Sequence, residues 1–197
     1  MRWTPLVVLC LALSVASAAP VPKHLMPKDE GFWPTAVGTK WEYEQPEFAF
    51  TEEITKADPI KSGVRLTVRV RSKGEWDATY EVGPGGVFAR TDGPFVIEKQ
   101  MIRLPVKVGD SWAFAYPIQK GLKCDGGTVT VSGSEEVKVP AGTFMATKVV
   151  STVTEVGGQP IPKPTTYTDW YAKGVGLIRR DWDGGGRVLK SFTPGTK

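Results

Sequence analysis

The sequence predicts an all-β fold, an antiparallel protein of roughly a dozen strands in two related halves, and three observations carry that expectation. From Gly38 onward, short runs of Val, Ile, Thr, Tyr, Phe and Trp alternate with Gly, Pro and Asp-Gly turn signals, at spacings of about 8 to 12 residues. No stretch shows the 3.6-residue apolar period of an amphipathic helix. A motif also recurs at constant displacement: Pro34-x-x-Val37-Gly38-x-x-Trp41-x-Tyr43 returns 71 residues later as Pro105-x-x-Val108-Gly109-x-x-Trp112-x-Phe114. A weaker echo sets Gly86-Val87-Phe88 against Gly176-Leu177-Ile178, displaced by 90.

Taken in order, the predicted strands of the first half are Lys40 to Glu44, Phe48 to Lys56, Val64 to Arg71, Glu75 to Val82, Val87 to Arg90 and Phe95 to Leu104. Those of the second are Ser111 to Tyr116, Gly127 to Ser132, Glu136 to Val139, Phe144 to Val156, Thr165 to Ala172, Leu177 to Trp182 and Val188 to Phe192. The hairpin around Ser72-Lys73-Gly74 is the best determined, because one loop length alone makes its two alternating patterns agree. A three-residue loop ending in Gly74, free to take positive φ, pairs Val70 with Trp76, Val68 with Ala78, Leu66 with Tyr80 and Val64 with Val82. The other face then pairs Arg71 with Glu75, Arg69 with Asp77, Thr67 with Thr79 and Arg65 with Glu81, so the basic row reads as cross-strand ion pairs rather than as an anion ladder. In Val139-Pro140-Ala141-Gly142-Thr143-Phe144, Pro140 presets φ for a turn and folds the chain back. The segment from Gly157 to Pro164 has alternating prolines and is expected as an exposed, semi-extended loop outside any ladder.

Composition removes most catalytic chemistries. The 197 residues hold one His and two Cys. His24 lies in a Pro-containing lead-in and Cys10 in an apolar leader, so the folded part holds a single thiol, Cys124, and no His. A Ser-His-Asp or Cys-His triad, a His-ligated metal site and an internal disulfide framework lack their parts. Met1 to Pro5 carries one positive charge, Leu6 to Leu13 is wholly apolar, and Ala16-Ser17-Ala18 supplies small residues for a signal peptidase. Residues 1–18 are therefore expected as a secretory signal peptide, 19–31 as a loose lead-in, and 32–197 as one β domain with halves at about 32–100 and 101–197. After cleavage near Ala18 the protein is expected to be periplasmic or extracellular, with no transmembrane segment, since no later run approaches the ~20 apolar residues needed. The net charge of +4 comes without a Lys/Arg block, which argues against nucleic acid as a partner.

Three motifs, Leu104-Pro105-Val106-Lys107-Val108-Gly109-Asp110-Ser111-Trp112, Val139-Pro140-Ala141-Gly142-Thr143-Phe144 and Asp169-Trp170-Tyr171-Ala172-Lys173-Gly174-Val175-Gly176-Leu177-Ile178, occur in an order that resembles bacterial secreted or lipoprotein-type β-rich domains of unknown function. The resemblance covers about residues 32 to 182. It implies a bacterial source, export and a curled sheet, as a half-barrel or a clam-like sandwich, and brings no catalytic residues.

What remains for function is carboxylates and aromatics. Glu52/Glu53 and Glu135/Glu136 are sequence neighbours and point to opposite faces of a strand. Asp181 and Asp183 could share a face as a glycosidase pair, but Asp183-Gly184-Gly185-Gly186 is a hairpin turn signal. No catalytic residue, metal ligand or cofactor site is expected. The aromatic pairs are the stronger candidates: Trp41/Tyr43 and Trp112/Phe114, each at i, i+2 on one strand face, and Trp170/Tyr171. They read either as core packing of a large curved sheet or as the lining of a concave face that holds an apolar small molecule or a lipid. The resulting expectation is an exported, non-enzymatic binding or scaffold protein. The alternatives are a carbohydrate-binding module with exposed Trp and Tyr rings and a carboxylate-based hydrolase.

Overall fold

The computed structural model describes residues 31–90, 98–117 and 124–196. Among these there is no helix; twelve antiparallel strands form one sheet. The first six are β1 (Lys40–Glu44), β2 (Ala49–Ile60), β3 (Gly63–Arg71), β4 (Glu75–Gly83), β5 (Gly86–Arg90) and β6 (Glu98–Arg103). The second six are β7 (Ser111–Pro117), β8 (Cys124–Val139), β9 (Gly142–Val156), β10 (Gln159–Ala172), β11 (Gly176–Trp182) and β12 (Gly185–Thr193). Spatial order is β6-β5-β4-β3-β2-β1-β12-β11-β10-β9-β8-β7. Each set of six is thus a meander, and the two meanders join where β1 pairs with β12.

The sheet curls until its outer strands meet, giving a nearly closed barrel. The seam between β6 and β7 is held by side chains: the Trp112 indole donates to the Gln100 carbonyl at 3.2 Å, Arg103 lies over the Trp112 ring and Lys99 over the Phe114 ring. Closure shields the two edges whose unpaired backbone groups invite aggregation. The core fills the interior, with Trp41, Tyr43, Leu66, Ile102, Tyr171, Ile178 and Leu189 all almost wholly buried. Because neighbouring strands alternate direction, the starts of β1 and β7 and the β8–β9 and β10–β11 turns share one end of the barrel. The β3–β4, β9–β10 and β11–β12 turns share the other.

The segment before β1 plugs the first of these ends. Gly31 accepts a hydrogen bond from the Gly174 amide at 2.8 Å, and the buried Trp33 ring stacks on Tyr80 at 5.1 Å and lies 5.9 Å from Trp41 and 6.4 Å from Tyr171. Gly176, at φ +89°, lets this ring approach: a Cβ there would stand 3.2 Å from it. The turns before β1 and β7 share one pattern. Gly38 and Gly109 have φ of 83° and 88°, Thr39 and Asp110 each donate three residues back, to Ala36 and Lys107, and the two glycine amides donate to Ile54 and Val131 at 2.8 Å.

The predicted β3–β4 register holds at all eight pairs, and Arg65–Glu81, Arg69–Asp77 and Arg71–Glu75 are ion-paired. The expectation of positive φ at Gly74 is corrected: Gly74 is not among the positive-φ glycines, and the loop is closed by the Ser72 amide on the Gly74 carbonyl at 2.8 Å. Two further corrections concern strands. The predicted Gly127 to Ser132 and Glu136 to Val139 strands are one strand, β8, carried through a bulge between Val131 and Gly133. The proline segment does join a ladder: Gln159 pairs with Val156 and Pro160 with Glu155, then a bulge leads to Thr165 opposite Val153. Proline is tolerated because β11 pairs with β10 only from Tyr167 to Ala172, which leaves the segment on a free edge where no amide is required. The expected signal peptide and most of the lead-in lie outside the described residues.

Candidate functional site

A cavity of about 450 Å³ occupies the barrel interior on the side away from the Trp33 plug, within the size range of small-ligand sites. Tyr80 and Met101 line it together with Val153 and Tyr167, and Lys99, Arg180 and Arg187 bring three cations into it. Asp125 and Val156, near the start of β8 and the end of β9, place its mouth at the end of the barrel bearing the β9–β10 turn.

Strand register assembles the charges. Asp169 pairs with Arg180 across β10–β11, and Arg180 with Arg187 across β11–β12. Two like charges directly opposed destabilise a sheet, and each guanidinium here has its own carboxylate. Arg180 donates from Nε and Nη2 to the two oxygens of Asp169 at 2.5 and 2.8 Å. Arg187 Nη1 lies 3.4 Å from Glu52 Oε1, and its guanidinium stacks on Tyr43 and Phe50 at 4.9 and 5.5 Å. Asp169 and Glu52 are buried, so the interior carries a row of carboxylate, guanidinium, guanidinium and carboxylate. Burial works against the Arg180 charge, yet the Asp169 carboxylate and its hydrogen bonds raise its pKa well above the ordinary arginine value. Burial likewise raises Tyr43, Tyr80 and Tyr171, with Glu52 or Asp169 adding to it, so all three are neutral donors at physiological pH.

Lys99 differs. Its ammonium donates to Ser151 Oγ at 3.2 Å and lies 4.6 Å from the Phe114 ring centroid, and among the described residues no carboxylate stands within ion-pair distance of it. Burial, and then the charge of Arg180, push its pKa down to about 8 against the pull of Asp169. The buried Arg187 Nε has no acceptor.

The six aromatic candidates are all buried, and none lines this cavity. Trp41 donates to the Val175 carbonyl at 2.6 Å and the Tyr43 hydroxyl to that of Leu177 at 2.8 Å. Trp41 and Tyr171 meet through Trp33, a ring the sequence reading did not single out. Phe114 and Tyr43 act as aromatic floors beneath Lys99 and Arg187. Trp170 lies on the outer face, donating to Glu135 at 2.6 Å between Lys148 and Arg179, while Tyr171 donates inward to Asp169 at 3.1 Å.

A flat row of exposed rings, as sugar stacking needs, does not occur among the described residues: Trp76 is the exposed tryptophan, 53% accessible. Of the other carboxylates considered, Glu53 pairs with Arg71, Glu135 with Lys148, Asp181 with Arg179 and Asp183 with Lys163. The described residues contain no group of three potential metal ligands and no helix long and apolar enough to cross a membrane.

A family model described as DUF3108-like matches residues 126–192, from early β8 to the end of β12. No curated protein matches. Two solved structures resemble the chain. One, a Bacteroides fragilis protein described as exported and as having a YmcC-like fold, is 15% identical with a TM-score of 0.56, the match covering 84% of this chain and 100% of that one. The other, a Parabacteroides distasonis protein described as a lipoprotein, is 15% identical with a TM-score of 0.49, covering 85% of this chain and 100% of that one. At that identity the likeness to the Bacteroides fragilis structure is one of fold.

Proposed function

We propose that this chain is an exported, non-enzymatic carrier that holds a small amphipathic molecule inside its barrel. The observation that carries this reading is the interior cavity of about 450 Å³, backed by the Trp33 plug and lined by both apolar and charged side chains. Export is supported by the apolar leader with its Ala-x-Ala site and is in keeping with the description of the Bacteroides fragilis structure as exported. Relatedness of the two meanders is supported by the shared bonding of the Gly38 and Gly109 turns. A non-enzymatic role is supported by the pairing of the buried interior carboxylates Asp169 and Glu52 with Arg180 and Arg187, which occupies the groups that general acid work would need. The aromatic candidates enter this reading as the frame of the site rather than its lining.

Native mass spectrometry of protein purified from its own envelope tests it. The expected result is a non-covalent adduct lost on organic extraction, and restabilisation of the extracted protein by added amphiphile, worth about 2.7 kcal/mol at a hundredfold excess over Kd. Bare protein, together with a melting temperature unmoved by a panel of single-chain lipids, contradicts it.

A further inference from the structure

Resting on the carrier reading above, we propose that the cavity selects an amphiphile with a carboxylate head group, and that Lys99 with Ser151 is where that head is held. The three interior cations are not equivalent. Arg180 has its charge matched by the Asp169 carboxylate, which it meets through two hydrogen bonds, and Arg187 faces Glu52. Lys99 has a hydroxyl and an aromatic face as neighbours. An ammonium carries three donors, and Ser151 takes one. Two N–H groups and a full charge therefore remain at the wall of the cavity, which is also lined by Arg187, whose buried Nε has no acceptor.

Burying a charge without a partner is costly, and a counter-charge brought by a ligand would offset that cost. A bound anion would meet both the charge of Lys99 and its two remaining donors. A cationic head would be repelled by all three side chains, and a neutral one would leave Lys99 uncompensated. Asp125, the one carboxylate among the lining residues, stands at the mouth with Oδ1 accepting from the Gly157 amide at 2.7 Å and forms no ion pair with Lys99. One unmatched positive charge matches a monoanion better than a phosphate dianion. Met101, Val153 and Ala89 on the same walls offer apolar surface to a chain.

The test is displacement of a neutral fluorescent probe, N-phenyl-1-naphthylamine, from the full mature chain by four sixteen-carbon ligands: hexadecanoate, hexadecanol, hexadecyl phosphate and hexadecyltrimethylammonium. At pH 7 hexadecanoate is expected to bind at least about tenfold more tightly than the alcohol and more tightly than the phosphate, with the ammonium weakest. Lys99→Gln is expected to abolish the preference by weakening the carboxylate while leaving the alcohol within about twofold, and Lys99→Arg to keep most of it. Equal binding of alcohol and carboxylate by the wild type, or a preference for the phosphate, overturns the proposal while leaving the carrier reading intact. Failure of the probe and all four ligands to bind overturns both. The wild-type comparison decides the matter even if a Lys99 variant fails to fold.

Discussion

The Lys99 ammonium donates to Ser151 Oγ at 3.2 Å, and this bond crosses the seam of the barrel. Lys99 lies on β6, one outer strand of the sheet, while Ser151 lies on β9, third from the other edge. The pair helps to hold together strands that no ladder joins, and it does so with a charge that burial disfavours. Pushed down to about 8 from an ordinary 10.5, Lys99 releases its proton in the folded protein before the unfolded chain does. Unfolding then takes up a proton, and stability rises with pH above about 8. Above pH 10 the opposite holds for Tyr43, Tyr80 and Tyr171, whose pKa values are raised by burial, so the unfolded chain ionises first and stability falls.

Urea unfolding of the ligand-free protein is therefore expected to show a net gain of about 1 kcal/mol between pH 8 and 10, about 2 from Lys99 less about 1 from the three tyrosines, which the unfolded chain has half ionised by pH 10. Lys99→Met removes that rise and is more stable than the wild type at pH 7, because it no longer buries a cation. A wild-type curve flat from pH 8 to 10 contradicts the assignment.

Asp169 and Arg180 form the best-bonded interior ion pair, and removing one partner strands the other. Asp169→Asn is expected to cost about 3–5 kcal/mol in chemical denaturation. The double variant Asp169→Leu/Arg180→Met is expected to cost less than the single one, since it leaves no uncompensated charge.

The Trp41 indole ties β1 to the β10–β11 turn through the Val175 carbonyl. Trp41→Phe keeps most of the packing but leaves that carbonyl without its donor, at a cost of about 1–3 kcal/mol. The measurement is thermal denaturation, with a Tm lowered by about 2–4 °C per kcal/mol for a chain of this size.

Two glycines should respond in opposite ways to alanine. A Cβ at Gly127 would stand 2.0 Å from the Thr152 carbonyl oxygen and 2.9 Å from Phe114 Cζ, so Gly127→Ala must push β8 from β9 or fail to fold. At Gly74 nothing lies within 4 Å, and its φ is not positive. Gly74→Ala is expected to be tolerated and to stabilise by about 0.4–1 kcal/mol through the unfolded chain. Circular dichroism and urea midpoints of the two variants check the contrast.

Legibility of the fold in the sequence followed the locality of the interactions. The β3–β4 hairpin could be read to the residue because its apolar and charged sets are both local and only one register satisfies them. Gly133 misled because a glycine bulge inside a strand and a break between strands look alike in sequence. The proline segment misled because the tolerance of a free edge depends on where β11 ends. The cavity was invisible for a stronger version of the same reason. Asp169, Arg180, Arg187 and Glu52 meet only through the pairings of β10, β11, β12, β1 and β2, and Lys99 reaches them from across the barrel. One sequence signal pointed there: Asp169 and Arg180 stand on strands whose neighbouring inward positions, Tyr167, Tyr171 and Ile178, are apolar or aromatic. The aromatic candidates were visible as residues, and their core packing and hydrogen bonds followed from the long-range register.

The most direct measurement is a crystal structure of the protein with a chain-brominated hexadecanoate, located by the anomalous signal of bromine. The account predicts bromine inside the barrel near Met101 and Val153, with the carboxylate on Lys99 and Ser151. Bromine confined to the outer surface at saturating ligand, or a carboxylate remote from Lys99, would contradict it.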